Sequence, residues 1–416
     1  MSRLKGAAIF GQSGGPTSVI NSSAAGVFQQ ALKEELITDV YGAAHGIRGI
    51  LDENFYDISK ESEEQLNLLK TTPSSALGSV RYKLADPSVD DTDYKRILEV
   101  FKKYNIRYFF YNGGNDSMDT TNKISKFLAK SGYECIVMGV PKTIDNDLFG
   151  TDHCPGYASA ARYVATSIME IYQDARVYDT PMITVVEIMG RNAGWLTAAS
   201  ALAAYKGAGP DLIYLPEIPF TMDKFLSDVK KVFDKNNGKV IVAFSEGCKN
   251  KEGQYIAEMG SSLSTDAFGH AQLGGAASVL ANILKKEFKC KVRGIEFSLM
   301  QRCGAHLGSK TDVDEAYMAG QEAVKAAVSG ISDHMVAFER IMVDGLYTCK
   351  PKLINLSHVA NTEKTVPLEW LNEEQNFLND NFIEYALPLI QGDSHPPYID
   401  GLPNFAKLKK ILVPKK

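Results

Sequence analysis

The chain has 416 residues, of which 44% are hydrophobic and 23% are charged, and its 45 basic and 50 acidic side chains give a formal net charge of −5. These proportions are typical of a globular protein and exclude a disordered or fibrous chain, and the mild negative charge argues against general binding to nucleic acid or to an anionic membrane. At this length we expect two domains.

Six cysteines are scattered along the chain without a CxxC pair, a pattern that predicts neither a zinc site nor a disulfide framework and fits a reducing cytoplasm. No stretch approaches the ~18 apolar residues of a membrane span. The N-terminus leads into a strand-like run without an apolar signal region. We therefore expect a cytoplasmic protein with no membrane segment.

Short apolar runs alternate with helical patterns over the first two thirds of the chain. The strand-like runs are residues 7–10, 108–111, 135–140, 183–188, 212–215 and 240–244. The helical patterns are residues 19–36, a stretch that ends near 129, and residues 158–175, 193–204 and 222–233. This alternation predicts an α/β fold of parallel sheets with helices on both faces, in which ligands bind at the carboxyl ends of the strands. From about residue 331 the pattern predicts shorter strands and turns.

The first strand-like run is followed by a loop of small residues that contains Gly14 and Gly15. Backbone N–H groups between a strand and a helix can hold an anion, and glycine leaves room for a phosphate. A tight strand-to-helix turn explains Gly14 and Gly15 equally well. The loop lacks the Gly-Lys-Ser/Thr of a Walker motif and the GxGxxG spacing of a dinucleotide site.

A second glycine pair, at Gly113 and Gly114, follows the next run and leads through Asp116 and Ser117 into a helix. Asp116 could simply cap this helix. It could also take part in placing magnesium or phosphate, because Mg²⁺ prefers one or two carboxylates together with substrate phosphates. Two glycine-rich loops at neighbouring strand ends favour this second interpretation.

The third strand-like run ends at Pro141 and is followed by two carboxylates, Asp145 and Asp147, with Lys142 just before them. Phosphoryl transfer to an alcohol needs a base for the hydroxyl proton, cations for the phosphate charge and a carboxylate for the metal. This segment offers all three. A solvated acidic turn is the alternative, although such a turn is unusual directly after an apolar strand.

Charged side chains follow later strands as well. Arg81, Arg191 and Arg302 could bind phosphate oxygens, since a guanidinium keeps its charge and binds oxyanions bidentately, or could simply be solvated at the surface. Glu246, after another strand, could accept hydrogen bonds from sugar hydroxyls or lie in a solvated loop. His306 could reach a phosphate, although a lone histidine is more often structural.

These motifs occur in the order and approximate spacing of the phosphofructokinase family, which the chain resembles over about residues 7–330. The matching residues are Gly14-Gly15, Gly113 to Ser117, Pro141 to Asp147, Met189-Gly190-Arg191, Ser245-Glu246-Gly247 and Gln301-Arg302. The resemblance implies two doubly wound, Rossmann-like domains with the active site between them. It places a donor domain at 1–156, joined by part of 310–360, and a sugar domain at 157–309, joined by part of 361–416.

The resemblance also implies residue roles. Asp145 is expected to take the proton from the 1-hydroxyl of fructose 6-phosphate, with Thr143 and Arg191 completing the catalytic set and Asp116 and Asp147 holding Mg²⁺. The sugar phosphate is expected to contact Thr143, Asp145, Met189, Gly190, Arg191, Glu246, Arg302 and His306. The donor is expected to contact Gly14, Gly15, Arg81, Gly114, Asp116, Ser117 and Lys142.

Two positions favour inorganic pyrophosphate over ATP as donor. ATP-using members of the family usually carry glycine where this chain has Asp116 and Lys142, and pyrophosphate-using members resemble this chain at both. A carboxylate at 116 would repel the α-phosphate of a nucleotide, and Lys142 adds charge near a small, highly charged donor. The expected products are fructose 1,6-bisphosphate and phosphate, in a reversible reaction of glycolytic type. The alternatives are an ATP-dependent enzyme and a non-catalytic regulatory subunit that binds sugar phosphate.

Some positions depart from the family pattern. Asn115 stands where many members have Asp, and Pro16 replaces an acidic residue of the ATP-using bacterial branch. Met182 stands where that branch has an arginine that reaches the 6-phosphate from a neighbouring subunit, and Arg176 and Lys310 are candidate substitutes. The resemblance suggests a homodimer or homotetramer and assigns no function to the residues after about 330.

Overall fold

The computed structural model describes residues 4–259, 274–360 and 362–416. The strands of this part are β1 (Gly6–Gln12), β2 (Ile37–Ala43), β3 (Phe55–Asp57), β4 (Ile106–Gly113), β5 (Ile136–Pro141), β6 (Met182–Ile188), β7 (Leu212–Tyr214), β8 (Lys239–Ser245), β9 (Lys291–Glu296), β10 (His334–Val343), β11 (Leu346–Asn355), β12 (Tyr398–Ile399) and β13 (Leu402–Pro403).

Its α-helices are α1 (Ile20–Ala31), α2 (Ile47–Leu51), α3 (Glu63–Leu68), α4 (Thr92–Lys103), α5 (Asn115–Lys130), α6 (Tyr157–Arg176), α7 (Trp195–Ala198), α8 (Ala201–Tyr205), α9 (Met222–Lys235), α10 (Ala276–Phe288), α11 (Met300–Cys303), α12 (Lys310–Val328), α13 (Leu356–Val359) and α14 (Asp380–Ala386). None of these helices is long and apolar enough to cross a membrane.

The elements form two main sheets, and the predicted α/β architecture is confirmed. A seven-stranded sheet has the order β11-β10-β5-β4-β1-β2-β3, with parallel pairing in its centre and antiparallel pairing at both ends. A four-stranded parallel sheet has the order β7-β8-β6-β9. The central strands are buried on both faces, which is why they read as continuous apolar runs in the sequence.

Alternate residues of β1 show how the larger sheet is covered. Ile9 packs into the core on one face, with helices α4 and α5, whereas Ala8 and Phe10 pack into the core on the other face, with α1 and α12. Helices α1 and α12 cross closely, since a β-carbon on Gly26 would lie 2.1 Å from the backbone oxygen of Tyr317. The first sheet is therefore closed on both faces, and function is left to the loops at its strand ends.

The order of strands places a crevice in each sheet. In the first sheet β1 lies between β2 and β4, so the strands that follow it in sequence are added first on one side of β1 and then on the other. Ligands bind at the carboxyl ends of the strands beside such a switch point. In the second sheet β6 lies between β8 and β9 in the same manner. The loops after β1, β4, β5, β6 and β8 therefore converge on one region.

Several predicted elements differ from the structure. The first helix ends at Ala31 instead of residue 36, and the helical pattern at 193–204 is broken into α7 and α8. The region after 331 contains the ten-residue strands β10 and β11 where shorter strands were predicted. Their antiparallel hairpin extends beyond the sheet and carries polar residues, so no continuous apolar run marks it.

The C-terminal region contacts both sheets. Val366, Leu371 and Phe382 belong to the core that contains Val186 and Ile188 of β6. The final residues return to the first sheet, where Val413 N–H donates to Phe55 O at 2.8 Å and residues 411–413 run beside β3. The predicted domain limits at 156 and 309 stay predictions.

Candidate active site

A cavity of about 210 Å³ lies where the loops of the two sheets converge. Its lining combines the three predicted donor-side loops with residues that follow β6, β8 and β9. The lining residues are Gly15, Pro16, Arg81, Gly114, Asn115, Lys142, Thr143, Ile144, Asp145, Asp147, Met189, Arg191, Glu246 and Arg302.

The turn after β5 supplies the carboxylates of the cavity. Asp145 N–H donates to Thr143 Oγ1 at 3.0 Å, which closes the start of the turn. Partial burial in the cavity wall raises the pKa of Asp145, against the lowering effect of the Lys142 and Arg191 charges. Burial, with the neighbouring charges of Asp145 and Glu363, raises the pKa of Asp147 to about 7. The turn therefore presents two carboxylates with a raised affinity for protons.

Lys142 connects this turn to the first glycine loop. Its side chain is 3% exposed, and Nζ donates a hydrogen bond to Gly15 O at 2.7 Å. Burial lowers the pKa of Lys142 to about 8, although Asp145 and Asp147 oppose that shift. A buried cation that is hydrogen-bonded to a glycine loop can stabilise the charge of an anion bound at that loop.

The first loop is also close to the arginines. A β-carbon on Gly15 would lie 2.9 Å from Arg302 Nη1, so only a glycine leaves that guanidinium in place. Burial and the charges of Arg191 and Arg302 lower the pKa of Arg81, which shows that the three guanidiniums share one electrostatic environment. Such an arrangement stabilises a polyanion between them.

The second loop begins α5 at Asn115. Asn115 Nδ2 donates to Asp147 Oδ2 at 3.0 Å, while the buried Asn115 Oδ1 accepts no hydrogen bond from the described residues. An unsatisfied amide oxygen beside a carboxylate is a fitting partial ligand set for Mg²⁺, which prefers oxygen ligands. Asp116 is exposed and does not line the cavity, and its charge acts on Arg81.

The second sheet supplies the opposite wall. Gly190 N–H donates to Glu246 Oε1 at 3.3 Å, and Met189 N–H donates to Gln301 Oε1 at 3.2 Å. These bonds fix the loop that presents Arg191. Burial raises the pKa of Glu246 to about 7, with the charge of Asp145 adding to that shift.

Five predicted site residues do not line the cavity. They are Gly14, Asp116, Ser117, Gly190 and His306. Gly14 and Gly190 contribute backbone to loops that do line the cavity, and Gly14 O accepts a hydrogen bond from Ser79 Oγ at 2.7 Å. Ser117 is buried behind Gly113. His306 is exposed and lies edge-on to the ring of Tyr163, with centroids 6.1 Å apart.

The two candidates for the missing cation near Met182 also lie outside the cavity lining. Met182 begins β6 and is buried. Arg176 is 3.6 Å from Asp211, and Lys310 forms an ion pair with Asp314. Within the described chain, each candidate is thus engaged by a carboxylate.

The sequence analysis missed a segment that borders the catalytic turn. Lys364 N–H donates to Asp147 O at 2.8 Å, and Glu363 Oε1 accepts from Asn192 Nδ2 at 2.7 Å. The segment thus joins the turn after β5 to the loop after β6. No motif marks it in the sequence, because these contacts link residues more than 160 positions apart.

Comparison with known proteins identifies close relatives. A family model described as Phosphofructokinase matches residues 7–295. The chain is 42% identical to pyrophosphate–fructose 6-phosphate 1-phosphotransferase of Halomonas elongata over 413 residues, 98% of this chain and 97% of that protein. It is 40% identical over 413 residues to the protein of the same name from Methylococcus capsulatus, with the same two coverages of 98% and 97%. The crystal structure of a pyrophosphate-dependent phosphofructokinase from Marinobacter aquaeolei has a TM-score of 0.88 and 39% identity, and the match covers 99% of this chain and 98% of that chain.

Proposed function

The chain belongs to the phosphofructokinase family, and we propose that it transfers a phosphoryl group from inorganic pyrophosphate to the 1-hydroxyl of fructose 6-phosphate. The products are fructose 1,6-bisphosphate and phosphate, and the reaction runs in both directions because the two phosphorylated compounds are of comparable energy. The observation that carries this proposal is the buried Lys142, which lies between the glycine loop and the carboxylates of the turn.

Asp145 is the proposed general base. The hydroxyl oxygen of the sugar forms a bond to the transferred phosphorus as the bridging P–O bond of pyrophosphate breaks, and the hydroxyl proton passes to the Asp145 carboxylate. Partial burial raises the pKa of Asp145 and so favours its acceptance of a proton, while the charges of Lys142 and Arg191 oppose that rise. Thr143 holds the turn through its hydroxyl.

The cations divide between donor and acceptor. Lys142 and Arg81 lie on the donor side with the loops of Gly14, Gly15, Gly114 and Ser117, whereas Arg191, Met189, Gly190 and Glu246 form the sugar side. The guanidinium of Arg302 extends from the sugar side to Gly15 on the donor side, so we propose that it contacts both the donor and the sugar phosphate. Charge neutralisation by fixed cations in a closed cavity is the main source of rate in such a transfer.

The oxygen ligands at the cavity fit a divalent cation. We propose that Asp147 and Asn115 hold Mg²⁺, with Asp116 as a further candidate in the same turn of α5. When bound, the ion neutralises charge on the donor phosphates.

We expect pyrophosphate to be preferred over ATP, because a carboxylate at position 116 would repel the α-phosphate of a nucleotide and the buried Lys142 adds positive charge for a small, highly charged donor. The test is a coupled assay with pyrophosphate and ATP side by side. We expect turnover with pyrophosphate and at least a 100-fold lower kcat/KM with ATP, which is about 2.7 kcal/mol of discrimination. A better rate with ATP would select the ATP-dependent alternative, and no turnover with either would select the non-catalytic one.

The remaining expectations concern subunit count, location and other partners. We propose a cytoplasmic homodimer or homotetramer active in glycolysis, and light scattering after size exclusion tests the subunit count. Binding to nucleic acid or to membranes is not expected at a net charge of −5.

A further inference from the structure

The catalytic turn contains a residue in an unusual backbone conformation. Asn146 lies between Asp145 and Asp147, is fully buried and has a φ of 56°, in the left-handed region. A residue other than glycine is held there only when its surroundings fix it, although asparagine is among the residues that tolerate this region best. Because both flanking carboxylates line the cavity, the conformation of Asn146 determines where they point.

The side chain of Asn146 is bound at both ends. Its Oδ1 accepts from Cys154 N–H at 2.9 Å, and its Nδ2 donates to the Tyr385 hydroxyl at 2.7 Å. The same hydroxyl donates to Asp152 O at 2.8 Å. Tyr385 thus joins the two halves of the loop that runs from Asp145 to Cys154.

Tyr385 belongs to α14, far along the chain from the turn, and is itself firmly placed. Its ring packs against Trp195 and Trp370, with centroids 5.2 and 5.4 Å away. The guanidinium of Arg340 lies 4.9 Å from the ring centroid and donates to Tyr385 O at 2.9 Å. A hydroxyl carried by such a ring has little freedom to follow a moving loop.

We propose that Tyr385 is a positioning residue for phosphoryl transfer: through Asn146 and Asp152 it holds the turn in the conformation that aims Asp145 at the acceptor hydroxyl. The inference rests on the proposed function, because that function defines what the turn does. Tyr385 does not line the cavity and therefore acts only through the turn. This role assigns a function to one residue of the C-terminal region, to which the sequence analysis assigned none.

The decisive change is Tyr385→Phe, which removes one oxygen and keeps the ring. We expect kcat to fall about 10- to 100-fold, since a misplacement of about 1 Å in a reacting group can cost roughly 100-fold. The KM for fructose 6-phosphate should stay within about threefold, because the arginines and Glu246 are untouched. A residue that only supported the fold would lower the melting temperature without this split between kcat and KM.

The chain offers a matched control in Tyr347→Phe. Tyr347 also lies beside Arg340, whose guanidinium is 5.0 Å from its ring centroid, and its hydroxyl donates to Glu315 Oε1 at 2.7 Å, but within the described chain it forms no hydrogen bond with the turn. We expect Tyr347→Phe to lower thermal stability and to leave kcat within about threefold. Equal losses of kcat in the two variants, measured well below both melting temperatures, would overturn the proposal.

A double-mutant cycle with Asn146→Gly tests the route of the effect. Glycine adopts the left-handed conformation but cannot bind Tyr385, so Tyr385→Phe should lower kcat by a smaller factor in that background, where the hydroxyl keeps only its bond to Asp152 O. Independent, multiplicative effects would contradict an action through Asn146. Turnover of the unaltered chain with pyrophosphate or ATP is measured in the same assay, so a wrong donor shows up separately from a wrong role for Tyr385.

Discussion

The donor side and the sugar side of the cavity are built in different ways. On the donor side, three loops leave neighbouring strands β1, β4 and β5 of one sheet, and the functional residues other than Arg81 follow a strand end within a few positions. On the sugar side, Met189 and Arg191 follow β6 and Glu246 follows β8, but Arg302 stands on the short helix α11 beyond the edge strand β9. Donor-side geometry therefore depends on backbone, and sugar-side geometry depends more on long side chains.

Burial differs among the charged groups of both sides. Lys142 in the turn after β5 is 3% exposed, Arg191 and Arg302 are half-buried, and Arg81 on the donor side and His306 are exposed. A buried charge depends strongly on its few neighbours, while an exposed one is screened by water. Substitutions in the turn after β5 should accordingly have larger effects than substitutions at the rim of the sugar side.

The largest effect is expected for Asp145→Ala. Removing a general base typically costs about 100- to 10,000-fold, so we expect kcat to fall by about 1,000-fold while fructose 6-phosphate still binds. Steady-state kinetics and calorimetric titration of fructose 6-phosphate measure the two quantities. A kcat near that of the unaltered chain would show that another group takes the proton.

The second effect concerns Lys142. Its pKa of about 8 predicts that kcat/KM for pyrophosphate falls as the pH rises above about 8, because Lys142 then loses its charge. Lys142→Met should lower this kcat/KM by about 10- to 100-fold at pH 7 and abolish the alkaline decline. An alkaline decline of the same shape in the variant would assign it to another group.

The lowered pKa of Lys142 also makes the free energy of unfolding depend on pH. Between about pH 8 and 10.5 the unfolded chain holds a proton on Lys142 that the folded chain has lost. The contribution of Lys142 to the free energy of unfolding therefore rises with pH across this window. Denaturant titrations of the unaltered chain and of Lys142→Met at pH 7.5 and 10 should show the difference, and equal pH dependence in both would contradict the shift.

The third effect lies on the sugar side, at Glu246. The folded chain keeps a proton on this carboxyl up to about pH 7, whereas the unfolded chain loses it near 4.5, so its contribution to stability declines as the pH rises through that window. Glu246→Gln should raise the free energy of unfolding at pH 8 by on the order of 1 kcal/mol. It should also raise the KM for fructose 6-phosphate about 10-fold, because a charged acceptor of hydroxyl bonds is lost.

Two controls accompany the Glu246 measurement. Gln keeps an oxygen for Gly190 N–H, so the loop of Arg191 stays in place. Unfolding is compared at pH 4, where the carboxyl is protonated and the variant should gain nothing. A gain of stability that is equal at both pH values would point to better packing and not to removal of a buried charge.

The contrast between the two sides also explains what the sequence could predict. Buried parallel strands are apolar throughout, so β1, β4, β5, β6 and β8 are recognisable, and a loop directly after such a strand must lie at the crevice. This reasoning reached Lys142, Asp145 and Asp147. It did not reach Glu363 or Tyr385, because their contacts join segments that are far apart in the chain, and no local pattern encodes such a contact.

The smallest effect is expected for His306, which the family resemblance placed on the sugar phosphate. His306 follows the short helix α11, is exposed, and faces Tyr163 outside the cavity lining. We expect His306→Ala to change the KM for fructose 6-phosphate by less than about twofold, as for an exposed side chain outside the cavity lining. Arg302→Gln, a few residues earlier and within the cavity, should raise the same KM more than about 10-fold. A large effect of His306→Ala would mean that this part of the sugar side closes over the ligand, and that its geometry depends on bound substrate in a way that the donor side does not.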